Sequence, residues 1–140
     1  MSKEDSQDTK AKDTRFEWHL IDASTQPLGR AATGVAELLL GKHRPDFAPH
    51  LVAPVRVVVV NTDKVKVTGN KLEQKMYRHY TGHPGGLKER SLSRQLQLDS
   101  REVFEQAVSG MLPKNSLRAH RLQNLLLYKG TEHPHQAQIK

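Results

Sequence analysis

The chain has 140 residues, a formal net charge of +7 and a sequence pI near 9.8, a length that suits one domain with a real core. It contains no cysteine, which excludes disulfides, thiolate metal sites and cysteine nucleophiles and fits a reducing compartment. No apolar run approaches the roughly 20 residues of a membrane span, and the first residues resemble neither a secretory signal nor a transit peptide.

Residues 1–15 set Lys3, Lys10, Lys12 and Arg15 against Glu4, Asp5, Asp8 and Asp13 and sum to zero. They read as a flexible extension ahead of a single domain spanning 16–140. The charge excess therefore falls on that domain. Within residues 64–94 eight cations (Lys64, Lys66, Lys71, Lys75, Arg78, Lys88, Arg90, Arg94) face two carboxylates, Glu73 and Glu89, a net of +6. Such clustering is the electrostatic footprint of a polyanionic partner.

Order is expected from Phe16. Trp18-His19-Leu20-Ile21-Asp22 alternates as a strand does, with Trp18 assigned to the core. Thr25 is placed to cap a helix, and Pro27 suits its first turn. Leu28, Ala31, Ala32, Val35, Leu38 and Leu39 follow at helical spacing until Gly41 supplies a stop. Residues 42–54 are irregular, with three prolines. Val55-Arg56-Val57-Val58-Val59-Val60 is a β-branched run suited to a strand covered on both faces, as in parallel sheets. Asn61-Thr62-Asp63 turns the chain into a second short strand over 64–67, where lysine and valine alternate, and Thr68-Gly69-Asn70 breaks it.

Farther on, Asp99 is placed to cap a helix, with Glu102 completing a capping box. Val103, Ala107, Val108 and Met111 form that helix's apolar stripe, and Gly110 and Pro113 end it. Asn115 can cap the next helix, which carries Arg118, His120 and Arg121, and 125–128 is a last apolar strand ahead of a polar tail. Strand, helix, strand pair, helices and strand predict an α/β fold: a small, mainly parallel four-stranded sheet flanked by helices, with basic loop extensions.

The chemistry concentrates in residues 75–88, K-M-Y-R-H-Y-T-G-H-P-G-G-L-K, which hold no carboxylate. Cations there neutralise phosphates, tyrosine rings stack on bases or sugars, and glycines let backbone N–H groups approach a phosphate. Enzyme signatures are missing. Six residues rather than four separate Gly34 from Gly41-Lys42, and His43 stands where a phosphate loop needs a hydroxyl. Neither G-x-G-x-x-G nor G-x-S-x-G occurs. His79 and His83 are four apart, but Gly82 and Pro84 oppose the helix that would align them, and no carboxylate completes a site. His133 and His135 stand two apart. No metal and no cofactor is expected. Gly82-His83-Pro84-Gly85 satisfies the G-x-x-G loop of the KH module, yet that loop joins two helices and residues 77–80 are β-prone. Lys114, Arg118 and Arg121 lie near a helix start whose free N–H groups favour phosphate.

Several landmarks occur together: W-H-L-I-D-A with Q-P-L-G-R-A-A (18–32), L-L-G-K-H-R-P (39–45), Pro49-His50, V-V-V-V-N-T-D-K-V (57–65), T-G-N-K (68–71), the 75–88 segment, G-M-L-P-K-N (110–115) and Y-K-G-T-E-H-P-H-Q-A-Q (128–138). In this order they resemble the bacterial-type large ribosomal subunit protein thirteen family, over nearly the whole ordered chain. The resemblance implies an α/β domain without catalytic activity that binds large-subunit ribosomal RNA early in assembly, contacts neighbouring ribosomal proteins and resides in the cytoplasm, in the ribosome. Carried over by position, the RNA-facing residues are Arg30, Lys42, His43, Lys71, Lys75, Tyr77, Arg78, His79, Thr81, Gly82, Gly85, Gly86, Lys88, Lys114 and Asn115. The chain departs from the family at Leu51-Val52-Ala53-Pro54-Val55, which replaces a polar turn with aspartates and a glycine. It departs again at Leu117-Arg118-Ala119, where the family reads L-G-R, so the helix presents its cation one residue earlier or uses Arg121. Two rival readings remain at this point: a free repressor of messenger RNA, and a metal-dependent nucleic-acid-processing enzyme using His79 and His83.

Overall fold

The computed structural model describes residues 15–139, so nearly all of the extension expected over 1–15 lies outside the described residues. Its centre is the valine run. Strand β2 (Val55–Val60) pairs in parallel with β1 (Glu17–Asp22) on one side and β5 (Leu125–Leu127) on the other, giving the order β1-β2-β5. Register sets Trp18 beside Arg56, Ile21 beside Val59, and Val57 beside Leu125. Paired along both edges, β2 is also covered on both faces, since all five of its valines are buried whichever way they point. Between β1 and β2, helix α1 (Leu28–Leu40) buries Leu28, Ala31, Ala32, Val35, Ala36 and Leu39, the three-and-four spacing of one apolar face. Gly41 ends α1 in the left-handed conformation, at φ 77°, where its N–H reaches Leu38 O.

The fold is mixed α/β, but the expected four-stranded sheet is a three-stranded one. The strand assigned to 64–67 does not form. Asn61 adopts a left-handed φ of 59° and leads into a 3-10 turn over Thr62–Lys64. What remains is one parallel bridge between Lys66 and Pro27, with Leu28 N–H donating to Lys66 O at 2.9 Å. Pro27 has no N–H with which to continue a ladder. The remaining strands are a pair that spacing did not announce: β3 (Met76–Tyr80) and β4 (Leu87–Ser91) form a separate antiparallel hairpin. A one-turn helix, α2 (Lys71–Gln74), precedes it.

Three further helices follow: α3 (Leu92–Leu98), α4 (Ser100–Met111) and α5 (Leu117–Gln123). The first was not expected; the Ser91 hydroxyl caps it by accepting from Arg94 N–H. Asp99 does cap α4, accepting from Arg101 N–H at 3.0 Å. Glu102, however, bonds Gln95 and Gln106 rather than closing a capping box. Gly110 lies inside α4, and Met111 is exposed rather than part of the buried stripe. Val103, Phe104 and Val108 complete the core against α1. Two other assigned caps fail. Thr25 donates its hydroxyl to Asp22 O, leaving Pro27 to precede α1 without a side-chain cap, and Ser116 rather than Asn115 precedes α5. Trp18 is only half-buried; its ring meets His135 of the tail at 5.0 Å and Arg56 at 5.2 Å. The tail therefore folds back over β1 instead of trailing from it.

Candidate nucleic-acid interface

The hairpin is built by alternation. Opposite residues of an antiparallel pair share a face, so the register places Tyr77, His79, Lys88 and Arg90 on one side and Met76, Arg78, Tyr80, Leu87 and Glu89 on the other. The first face borders a cleft of about 440 Å³ whose opposite wall is Gln95, Glu102 and Gln106 of α3 and α4. Tyr77 anchors the hairpin there by packing against the core. Burial, with the Glu102 charge adding to it, raises the Tyr77 phenol above its ordinary value. A ring held this way offers little free surface for stacking, whereas Tyr80, not among the residues carried over, is 62 % exposed on the other face.

At the hairpin's tip the chain turns through Thr81, Gly82, His83, Pro84, Gly85 and Gly86. Thr81 N–H donates to Gly86 O at 3.1 Å, and Gly86 N–H to His83 O at 2.9 Å. Gly82 and Gly85 sit at φ 83° and 71°, and a Cβ on Gly86 would collide with the Thr81 side chain and approach His83 O. The glycines are thus required by the turn itself. This loop joins two strands, so the G-x-x-G likeness to a helix–helix clamp ends at the sequence.

A second opening lies beside the hairpin's base. It is a groove of about 460 Å³ between Leu28 and Gly29 at the start of α1, the bridge residue Lys66, Lys71 and Lys75 of the α2 turn, and Gly110 and Met111 at the end of α4. Lys75 also lies 5.4 Å from the Tyr77 ring centre. The α1 start has no side-chain cap, and although Lys66 O takes the Leu28 N–H, the positive dipole end of the helix faces the same region as three lysines. Arg30 is exposed one residue beyond Gly29, while Lys114 and Asn115 are exposed on the turn that follows α4. Lysines 71, 75 and 88, Arg78, His79 and the glycine turn therefore belong to one continuous projecting unit.

Lys42 and His43 do not join it. They follow the far end of α1, whose last residue, Leu40, is about 15 Å of helix rise from Arg30. His43 Nε2 lies 3.4 Å from Glu17 Oε2, and its ring meets His19 edge-on at 5.3 Å. Partial burial opposes ionisation of Glu17, but the His43 hydrogen bond and the charges of His19, His43 and Arg44 outweigh it and hold the carboxyl below its usual range. Arg121 is excluded from any RNA contact of its own. It is 1 % exposed, and its Nη2 donates to Pro49 O at 3.1 Å and Leu51 O at 3.3 Å. The departure at 51–55 is thus tied down by the residue considered as an alternative cation. Arg78 pairs with Glu89 at 2.6 Å across the strands, so part of its charge is spent within the hairpin.

A family model described as ribosomal protein L13 matches residues 16–134. The chain belongs to the ribosomal protein L13 family. It is 53 % identical over 121 residues to large ribosomal subunit protein uL13 of Thermus thermophilus, covering 86 % of each chain. It is 50 % identical over 129 residues to the protein of that name from Micrococcus luteus, covering 92 % of this chain and 88 % of the relative. The same identity holds with that of Maridesulfovibrio salexigens, over 92 % and 91 % of the two chains. The L13 family is one of ribosomal proteins and not of enzymes, which removes the nucleic-acid-processing enzyme as a reading. Every residue carried over as RNA-facing lies inside the matched span. Lys66, Tyr80 and Arg90 belong to the same unit but are not among the residues carried over as RNA-facing. Composition marked all three, as cations or as a tyrosine of a basic segment, but their placement follows from the strand pairing and the groove.

Proposed function

We propose that this L13-family chain is a structural component of the large ribosomal subunit that docks on large-subunit ribosomal RNA early in assembly. The observation that carries the reading is the β3–β4 hairpin. Apart from Tyr77, nearly all of its side chains are exposed, although they sit in the block with a net charge of +6. A strand pair that contributes so little to its own core makes physical sense as a surface for a polyanion. Its cations and the lysines of the neighbouring groove would neutralise phosphates, and the glycine turn would let RNA backbone lie close. The RNA-facing set is Arg30, Lys71, Lys75, Arg78, His79, Thr81, Gly82, Gly85, Gly86, Lys88, Lys114 and Asn115, with Lys42 and His43 as a separate contact beyond α1.

The outer face of the hairpin, with Met76, Tyr80 and Leu87 exposed, supports contact with a neighbouring ribosomal protein or with unstacked bases. Nothing in the fold or in the relatives' names favours messenger RNA as the partner.

The reading is tested by binding to large-subunit RNA transcripts over a salt series. Log affinity should fall against log salt with a slope of about −0.7 to −0.9 per phosphate contacted. An affinity independent of salt would contradict it. For the assembly claim, pulse-labelled chain should enter early large-subunit precursors; appearance only in mature particles would count against an early role.

A further inference from the structure

Among the described residues, one group of histidines and carboxylates is close enough to hold a metal ion, and it is none of the histidine pairs that spacing suggests. Glu17 and His19 stand two apart on β1, so they share a face of the strand. His43 reaches them from the loop after α1. One ligand atom from each of the three lies within 4.8 Å of the others. His19 Nε2 is 2.9 Å from Glu17 Oε1, and His43 Nε2 is 3.4 Å from Glu17 Oε2. Zinc takes nitrogen and carboxylate oxygen at about 2.0–2.2 Å in a tetrahedron, which sets its ligands about 3.3 Å from one another. Each histidine nitrogen is thus within such a span of the carboxylate, one on each oxygen, and an ion would draw both rings toward a single Glu17 oxygen.

A second observation points the same way. His19 Nε2 is buried and has no hydrogen-bond partner of acceptable alignment, despite its short distance to the carboxylate. The contact is an ion pair by distance but not an aligned hydrogen bond, so the nitrogen lacks the directed partner that a buried polar atom normally has and that a metal ion would supply. Arg44 is the competing cation, 3.7 Å from Glu17 Oε2, but its Nε and Nη2 are held by Asp46 at 2.9 and 3.0 Å. It does not depend on Glu17 and need not occupy the position of an ion.

We propose that Glu17, His19 and His43 form a binding site for one borderline divalent transition ion of the zinc class. Two imidazoles and one carboxylate select against magnesium, which prefers an octahedron of oxygens. The fourth position opens to solvent past the exposed His43 side, where water completes the tetrahedron. Bound there, the ion ties the irregular 42–54 loop to the first strand of the sheet. The site lies at the opposite end of α1 from the hairpin and does not rest on the RNA reading.

The test is calorimetric titration of the metal-free full chain with zinc chloride and, separately, magnesium chloride, without RNA. One zinc ion per chain is expected, with no comparable magnesium binding. Glu17→Gln, His19→Ala and His43→Asn should each weaken zinc by about 100-fold or more, while His133→Asn with His135→Asn leaves it unchanged. Circular dichroism establishes that each variant is folded, and the near-isosteric Glu17→Gln keeps the test decisive if a histidine variant is not. Cobalt should give the intense visible bands of a tetrahedral site in wild type and not in Glu17→Gln. Zinc binding that is absent, that survives in Glu17→Gln, or that disappears with the tail histidines overturns the proposal.

Discussion

The parallel sheet and the β3–β4 hairpin are both short β-structures, yet they obey different rules. In β2 the side chains are chosen by burial: five valines are inside, and the lone arginine is partly covered and lies over the Phe16 and Trp18 rings. In the hairpin only Tyr77 and Ser91 are even half-buried, and the remaining positions are cationic, polar or unaccountably apolar for water. A two-stranded hairpin is marginal in water by itself; this one is held by Tyr77 and by Leu92, the fully buried residue that follows it. The difference teaches where function is to be sought. The sheet's sequence is explained by the fold, and the hairpin's requires something outside it.

The sharpest way to break this comparison is to disturb both regions and read stability. Phe104→Ala removes a fully buried ring between α4 and the core, and should cost about 3–5 kcal/mol by urea denaturation; a cost below about 1 kcal/mol would mean that the core is not where stability resides. Next comes Arg121→Ala, which leaves Pro49 O and Leu51 O without their buried donor and should cost about 1–3 kcal/mol. A neutral result there would show that the 51–55 loop is not anchored through α5.

Asp99 gives a smaller effect with a pH signature. A hydrogen bond from the Arg101 side chain, aided by the Arg101 N–H and the Arg101 and Lys129 charges, holds its carboxyl below the usual aspartate range despite some burial. Its folded value is thus below its unfolded one. The stability it contributes is complete above the unfolded value of about 3.9 and is lost as pH falls through the lower folded value. Asp99→Ala should cost about 1 kcal/mol at neutral pH, and Asp99→Asn should flatten the acid limb of the stability curve below about pH 4. An unchanged acid limb would remove Asp99 from the account. Smallest of all is the joint replacement Lys71→Glu with Lys88→Glu. Both residues are exposed and neither forms an ion pair among the described residues, so stability should move by no more than about 0.5 kcal/mol.

What was legible in the sequence follows the same division. The valine run, the α1 stripe and Gly41 could be read because burial imposes a period and a stop on them. The 64–67 strand was misread because lysine–valine alternation suits a strand, while the placement of Lys66 against Pro27, whose missing N–H stops the ladder, is a tertiary fact. Helix α3 is only seven residues long, too short for a period to emerge. The charge of the hairpin was readable as composition, but its two faces were not, because that requires the pairing of Arg78 with Glu89 and His79 with Lys88. Arg121 looked like a phosphate ligand by position, since nothing in the sequence announces that two loop carbonyls will bury it.

The central claim is that the cations of the hairpin and of the α2 turn at its base serve RNA and not the fold. The direct test measures Lys71→Glu/Lys88→Glu and wild type for binding to large-subunit RNA across a salt series, with melting followed on the same samples. The account predicts unchanged melting, weaker binding and a salt slope smaller in magnitude by about 1.4–1.8, the loss of two phosphate contacts. Unchanged affinity and slope in a folded double variant would contradict it.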